Sequence, residues 1–405
     1  MTGIPQSVVI VGGGLAGYTL ADALRRHEFT GRITVIEQEP ALYDRPPLTK
    51  AAFVSDATLA ELEFSTPQQL RAQRVDVMCG RAVVSLDKGV LLDDGTVVRG
   101  DAVVLATGGR PRMLPFRGND APIVHMLRTF SDAQRIKTAA RPGGRILVVG
   151  AGLIGAELTS SLRALGVHVT LIDPVEVPLV PAAGESVARR LHEMHGEHGV
   201  DVRVGSILEV AERDGEYTAL LDDGSRVSVD AVVVGAGIVP NTELAESAGL
   251  TVDGGVVVDE RHSAGDGFYA IGDVARVLGS DGVLRRREEH WEAAQHDAEE
   301  LAAVLVGKDP ATRSSPWWWS DRYQVHVEGV GRMTGSGVTI LRSSHVAFHL
   351  DDGLLVGAVS IDDSQTVRAA RRIIDARIPV DAADLADPSV SLRDLLRSSR
   401  ALAGS

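Results

Sequence analysis

Apolar and polar positions fall into blocks along this chain, and the first block sets a pattern that later blocks follow. Ser7-Val8-Val9-Ile10-Val11 is a strand-like run rich in β-branched residues. It enters a turn with glycines at 12, 14 and 17. Leu15, Tyr18, Leu20, Ala21 and Leu24 then recur at helical spacing among Asp22, Arg25 and Arg26. A second apolar run, Ile33-Thr34-Val35-Ile36, ends in Glu37. Each part has a physical task. Gly12 permits a tight turn, Gly14 lets the backbone approach a pyrophosphate, and Gly17 brings helix and strand together. The helix N-terminus offers unpaired N–H groups and a positive dipole end to phosphates. Glu37 is placed to accept hydrogen bonds from ribose hydroxyls. The whole reads as a dinucleotide-binding unit.

Downstream, Arg45-Pro46-Pro47-Leu48-Thr49-Lys50 excludes a regular helix across its prolines. On pattern alone it reads as a surface loop. Asp93-Asp94-Gly95 between Leu91-Leu92 and Thr96-Val97-Val98 signals a hairpin. Asp101-Ala102-Val103-Val104-Leu105-Ala106-Thr107-Gly108-Gly109 is a continuous apolar strand ending in glycines. Strands apolar on both sides belong in a parallel sheet covered on both faces.

The same series then recurs. Arg145–Val149 runs into Gly150-Ala151-Gly152-Leu153-Ile154-Gly155-Ala156-Glu157, and a strand at Val167–Ile172 ends in Asp173. Leu221-Asp222-Asp223-Gly224-Ser225 repeats the hairpin, and Asp230-Ala231-Val232-Val233-Val234-Gly235 repeats the closing strand. Two copies of a whole unit predict two dinucleotide sites. Asp173 suits a 2′-hydroxyl and repels a 2′-phosphate, and Pro174-Val175-Glu176-Val177 brings no cation. NADH is therefore favoured over NADPH.

Further on, Gly255-Val256-Val257-Val258-Asp259 and Phe268-Tyr269-Ala270-Ile271-Gly272-Asp273 are strand-like. Asp273 fits a ligand at a sheet's carboxyl end or a helix N-cap. Glu289-His290-Trp291 opens a helical segment. Trp317, Trp318 and Trp319 cluster in a chain that is only 4% aromatic, so a new element starts there. They read equally as a hydrophobic plug or as a cofactor-facing group. Strand patterns at Gln324–Val330, His345–Leu350 and Leu354–Ser360, with a helix at Val367–Ile374, predict a smaller α+β domain.

A length of 405 residues suggests two or three domains, and 44% apolar content supports large cores. A net charge of −14 argues against general nucleic-acid binding. The single cysteine, Cys79, forms no disulfide or cysteine cluster within the chain and reads as quietly packed. With no cleavable leader and no apolar run of ~18–20 residues, the expectation is a cytoplasmic protein without a membrane partner.

These motifs, with Ile271-Gly272-Asp273 and Trp319-Ser320-Asp321-Arg322-Tyr323, resemble the FAD-dependent NADH:ferredoxin reductases that serve cytochromes P450 and ring-hydroxylating dioxygenases, the putidaredoxin and rubredoxin reductase type. The resemblance spans essentially the whole chain. It implies an α/β fold with two Rossmann-like, glutathione-reductase-like domains and a C-terminal α+β domain. Residues 1–112 and 235–315 would bind FAD, 113–234 NADH, and 316–405 would form the third domain. It implies cofactor contacts at Gly12, Gly14, Leu15, Ala16, Gly17, Glu37, Arg45, Lys50, Ala106, Thr107, Gly108, Gly272, Asp273, Glu289, His290, Trp291 and Trp319. For the second nucleotide it implies Gly150, Gly152, Leu153, Ile154, Gly155, Glu157, Asp173 and Gly235. Lys50 and Glu157 would pair as the catalytic residues beside the flavin, with Trp291 and Trp319 bordering it. Arg322 stands where the family usually has Gln.

No cysteine pair is present to act as an internal redox relay, so electrons leave to an external acceptor. The family resemblance makes that acceptor a ferredoxin, [2Fe–2S] or another small type. Ferredoxins are usually acidic, so a local basic face is expected to meet it, with Arg285, Arg286, Arg287, Arg313, Arg322 and Arg332 as candidates. Two alternatives share the architecture. One is an NADH-sensing flavoprotein of the apoptosis-inducing-factor type. The other is an NADH dehydrogenase giving electrons to quinone or oxygen; a quinone acceptor would favour an apolar membrane-binding tail, whereas the segment Leu392–Ser405 is short and arginine-bearing.

Overall fold

The computed structural model describes residues 3–55, 57–87 and 89–396, so part of that C-terminal segment, 397–405, lies outside the described residues. The chain divides into two compact units. The first comprises Met1–Pro47, Ala57–Arg110 and Ile238–Arg313; the second comprises Leu48–Asp56, Pro111–Gly237 and Ser314–Ser405.

The first unit is built on a six-stranded sheet. Ser7–Val11 lies at its centre, parallel to Arg32–Glu37 on one side and Ala102–Leu105 on the other. Val75–Cys79 and Phe268–Ala270 extend it in parallel, and Ser263–Gly265 closes one edge antiparallel. Because side chains alternate along a strand, Val8 and Ile10 pack on one face while Val9 and Val11 pack on the other. The first face is covered by helices Leu15–Arg26 and Trp291–Leu305. The second is covered by the small antiparallel sheet Val83–Ser85, Val90–Leu92 and Val97–Val98, together with strands Val256–Val258 and Ala275–Val277. Cys79 shares the face of Val75 and Val77 but, at the end of its strand, is exposed and not packed. Burial of part of its side chain still pushes the thiol above its usual range, which keeps it a poor nucleophile.

The second unit repeats the design. Arg145–Val149 is flanked in parallel by His168–Asp173 and Ala231–Val234, with Asp201–Val204 and Val124–Met126 outside them. The hairpin signal at Leu221–Ser225 joins Glu216–Leu221 to Arg226–Val229. This unit also holds a five-stranded antiparallel sheet in the spatial order Trp317–Arg322, Val325–Gly331, Leu354–Ile361, Val346–Asp351 and Val338–Ser343. Helix Ser364–Asp375 buries Val367, Ala370 and Ile373 on one face of that sheet. Helix Val180–Glu197 buries Val187, Leu191 and Met194 on the other, against Trp318 and Val327.

The tryptophan run is thereby split by strand geometry. Trp318 is 7% exposed in the core, and Gly329 opposite it leaves room for the indole. Trp317 and Trp319 stand half-buried on the other face, stacked with ring centroids 5.0 Å apart. The hairpin that follows turns on Tyr323 and Gln324, both left-handed at φ +51° and +66°. Bulky residues adopt that backbone at a cost. Here the Tyr323 N–H donates to Ser160 Oγ at 2.7 Å, its hydroxyl meets His195 Nδ1 at 2.6 Å, and its ring stacks on His198. Arg45–Lys50 differs from the loop expected on pattern: Pro46–Thr49 is a short 3-10 helix with Leu48 and Thr49 buried. Proline fits there because a helical first turn does not need its N–H.

Replacing Trp318 with Ala should lower stability by about 3–5 kcal/mol, whereas Trp317→Ala should cost clearly less. Denaturant unfolding of the two variants checks the difference.

Candidate functional site

The two glycine turns are superimposable in their contacts. In the first unit the Gly12 N–H donates to Ile36 O at 2.8 Å and the Ala106 N–H to Val11 O at 2.8 Å. In the second, Gly150 donates to Ile172 O at 2.8 Å and Gly235 to Val149 O at 2.7 Å. Gly12 and Gly150 have φ of +105° and +102°. A Cβ on Gly17 would lie 1.9 Å from Gly12 O, and one on Gly155 would lie 1.9 Å from Gly150 O. A Cβ on Gly14 or Gly152 would meet no protein atom within 4 Å. Glycine at those two positions is therefore not required by packing. It leaves backbone open at a helix N-terminus, where phosphates are favoured.

Each second strand ends in an acid doing the same work. Glu37 Oε2 accepts from the Gly13 N–H at 2.6 Å and Oε1 from the Glu39 N–H at 2.9 Å. Asp173 Oδ2 accepts from Ala151 at 2.8 Å and Oδ1 from Val175 at 2.8 Å. A carboxylate oxygen has a second lone pair, so each acid can still take a ribose hydroxyl. Burial pushes the Glu37 carboxyl above its usual range, and the two backbone N–H groups pull the other way. Open backbone, helix N-terminus and acid fit an adenine dinucleotide in both units. The sequence-predicted Leu15 and Ala16 open the first helix, and Leu153 and Ile154 open the second.

The other expected residues of the first unit sit at the carboxyl end of the same sheet or on the helix beside it. Ala106, Thr107 and Gly108 follow strand Ala102–Leu105, where Thr107 exchanges hydrogen bonds with Asn241 at 2.9 Å each. The Gly272 N–H donates to Asp297 Oδ2 at 2.9 Å, fixing the turn that carries Asp273. Arg287 bonds the Asp273 carbonyl at 2.8 Å and Glu289 at 2.7 Å. His290 precedes the first turn of helix Trp291–Leu305 without a side-chain capping bond, and the Trp291 indole N–H reaches Asp44 at 2.9 Å. Arg45 pairs with Glu39 at 2.9 Å and lies over the Tyr43 ring.

In the second unit, Lys50 and Glu157 meet as the family resemblance implies. Lys50 Nζ is 3.5 Å from Glu157 Oε1 and 2.5 Å from Asp321 Oδ2, and stands 5.4 Å from the Trp319 ring centre. Glu157 is 7% exposed; Thr49 Oγ1 donates to it at 2.7 Å and the Asp321 N–H at 3.0 Å. Ser161 Oγ donates to Thr49 O at 2.6 Å, which clamps the segment bearing Lys50 onto helix Leu153–Ala164. Asp321 was visible in sequence only as part of a motif; its contact with Lys50 spans 271 positions.

The proposed basic face needs correction. Arg322 is 2% exposed and bonds Ser320, because strand alternation turns it inward beside Trp318. It cannot present charge to a partner. Arg313 is held by Asp297, Glu300 and Glu288, and Arg287 by Glu289, so neither is an uncompensated cation. Arg285 and Arg332 are exposed but paired with Asp281 and Asp351. Arg286 is exposed.

A family model described as pyridine nucleotide-disulphide oxidoreductase matches residues 6–298. The chain belongs to that family. A second model, reductase C-terminal, matches residues 317–396. Among curated proteins, rhodocoxin reductase of Rhodococcus erythropolis is 34% identical, over 96% of this chain and 94% of its own. Putidaredoxin reductase of Pseudomonas putida is 33% identical, over 98% of both chains. Among solved structures, the covalent putidaredoxin reductase–putidaredoxin complex contains a chain with a TM-score of 0.91 and 32% identity, covering 98% of this chain and 99% of that one. Within the pyridine nucleotide-disulphide oxidoreductase family, then, the chain groups with ferredoxin–NAD(+) reductases. Among the described residues, no helix is long and apolar enough to cross a membrane.

Two outcomes follow from this geometry. Gly14→Ala should fold but take up FAD poorly, whereas Gly17→Ala should fail to fold; flavin absorbance and circular dichroism separate them. His195 is 1% exposed, and burial with the nearby Arg322 charge pushes its imidazole down to about 3. The unfolded residue titrates near 6.5, so stability should be lost as pH falls from about 6.5 towards 3. His195→Gln should flatten that loss in denaturant titrations.

Proposed function

We propose that this protein is an FAD-dependent NADH:ferredoxin reductase, supplying a ferredoxin that serves a cytochrome P450 or a dioxygenase. The observation that carries the reading is the pair of acid-terminated glycine turns, each with open backbone at its middle glycine. Full-length similarity to ferredoxin–NAD(+) reductases supports the choice of acceptor. The single cysteine agrees with it, since no dithiol relay can form.

In this reading residues 1–112 and 235–315 hold FAD, 113–234 hold NADH, and 316–405 form the C-terminal domain. Gly12, Gly14, Gly17 and Glu37 take the FAD pyrophosphate and ribose, and Asp273 its ribityl chain. Gly150, Gly152, Gly155 and Asp173 take NADH. Bound FAD supplies the conversion of a two-electron donor into a one-electron source. The chain supplies alignment and charge. Lys50 would supply an ammonium that favours negative charge on a reduced flavin, and Glu157 and Asp321 hold that ammonium in place. The working compartment is the cytoplasm, in keeping with one exposed, unpaired thiol.

Purified protein should carry flavin and drive NADH-dependent cytochrome c reduction only when a ferredoxin is added. Rapid flavin reoxidation by quinone or oxygen without ferredoxin, or a long-lived reduced complex that barely turns over, would overturn the assignment. Lys50→Met should slow hydride transfer by on the order of a hundredfold, read by rapid mixing with NADH.

A further inference from the structure

Lys50 belongs to a line of charged groups that continues along the C-terminal sheet. Asp321 holds Lys50 Nζ on Oδ2 at 2.5 Å and His326 Nδ1 on Oδ1 at 2.5 Å. His326 Nε2 meets Glu328 Oε1 at 2.9 Å, and Glu328 also accepts from Ser364 Oγ at 2.9 Å. The contacts are set by register, not chance. Asp321 and His326 are directly opposed across the hairpin Trp317–Arg322/Val325–Gly331, where side chains are held close on one face. Lys50 and Glu328 side chains are 24% and 10% exposed, while His326 is 38% exposed and so stands in exchange with solvent.

The charges alternate along this line: Glu157 negative, Lys50 positive, Asp321 negative, His326 titratable, Glu328 negative. Asp321 is thus one anion shared by two cations. With His326 protonated, Asp321 is largely neutralised from outside and the Lys50 charge is less cancelled. With His326 neutral, the whole of Asp321 acts on Lys50. The charged groups that face His326 are Asp321 and Glu328 on its own hairpin, and Asp362, which accepts its backbone N–H at 2.7 Å.

We propose that His326 is a positioning residue for the NADH reaction, setting through Asp321 how much of the Lys50 charge is left to act on the hydride transfer. The inference rests on the role given to Lys50 above. Partial burial opposes the imidazolium, but its hydrogen bonds to Asp321 and Glu328 outweigh that and raise its pKa above the ordinary value. The fast, protonated form therefore persists to higher pH than an ordinary imidazole would allow, and the effect is lost as pH rises through the raised pKa.

The test uses FAD-loaded protein mixed rapidly with NADH across a pH series. In the unaltered protein the rate should fall on the order of tenfold as His326 loses its proton. His326→Gln should sit near the slow limit with that ionisation gone. His326→Arg, which keeps a cation, should stay fast to higher pH. A histidine with a merely structural role would slow both variants alike and leave the profile in place, and that result overturns the proposal. Histidine NMR gives a readout apart from turnover: Lys50→Met removes a competing cation from Asp321, so His326 should titrate at higher pH than in the unaltered protein. An unmoved titration means that the two groups are uncoupled and sinks the idea. If Lys50→Met reacts with NADH at the unaltered rate, the role of Lys50 itself is wrong. If it slows while His326→Gln keeps the original pH profile, only the part given to His326 fails.

Discussion

A helix can approach the end of a strand only as closely as the atoms between them allow. At Gly17 and Gly155 there is no side chain, and the helix backbone closes on the carbonyls of Gly12 and Gly150. That contact fixes where the helix begins and which N–H groups face outward at the sheet's carboxyl end. It also fixes the reach of the neighbouring strand, so that Glu37 and Asp173 arrive where they can hold the turn from behind. A missing methylene thus sets the geometry of each nucleotide cradle. The same constraint met twice, with hydrogen bonds matching to within 0.1 Å, is what an internal duplication leaves behind at atomic scale.

The second unit adds something the first lacks. Its antiparallel sheet brings Asp321 to helix Leu153–Ala164, where the Asp321 N–H and Thr49 Oγ1 both donate to Glu157. A nearly buried carboxylate with two donors and an ammonium 3.5 Å away loses little by leaving water. Segments far apart in sequence are tied at one acid, and Lys50 is held by the result. Charge at this point is organised by hydrogen bonds that are complete before any ligand arrives, which is the arrangement electrostatic catalysis favours.

Much of this was legible in the sequence, for a definable reason. Glycines 12, 17, 150 and 155 are demanded by backbone geometry, so their identity cannot drift without loss of the turn, and glycines 14 and 152 complete the spacing that marks it. The strands Val8–Val11 and Ala102–Leu105, apolar at every position, announced a sheet covered on both faces. What stayed hidden depends on pairing. Asp321 and His326 become partners only once two strands are in register. Arg322 looks like a surface cation until strand alternation turns it inward, and Cys79 looks like a core residue until its place at the end of its strand leaves it exposed. The buried Leu48 and Thr49 read as loop because proline signals a break in helix without saying which side of the break faces the core.

The strand Trp317–Arg322 carries two separate jobs on one backbone. Trp318, Ser320 and Arg322 point into the protein, while Trp317, Trp319 and Asp321 line the opposite side. Neighbouring positions therefore answer to different selective pressures. Drift at 318, 320 or 322 is filtered by the core around Trp318, and drift at 317, 319 or 321 disturbs that core less. A lineage can alter the face that meets Lys50 through every second letter of this hexapeptide while the intervening letters keep the scaffold standing.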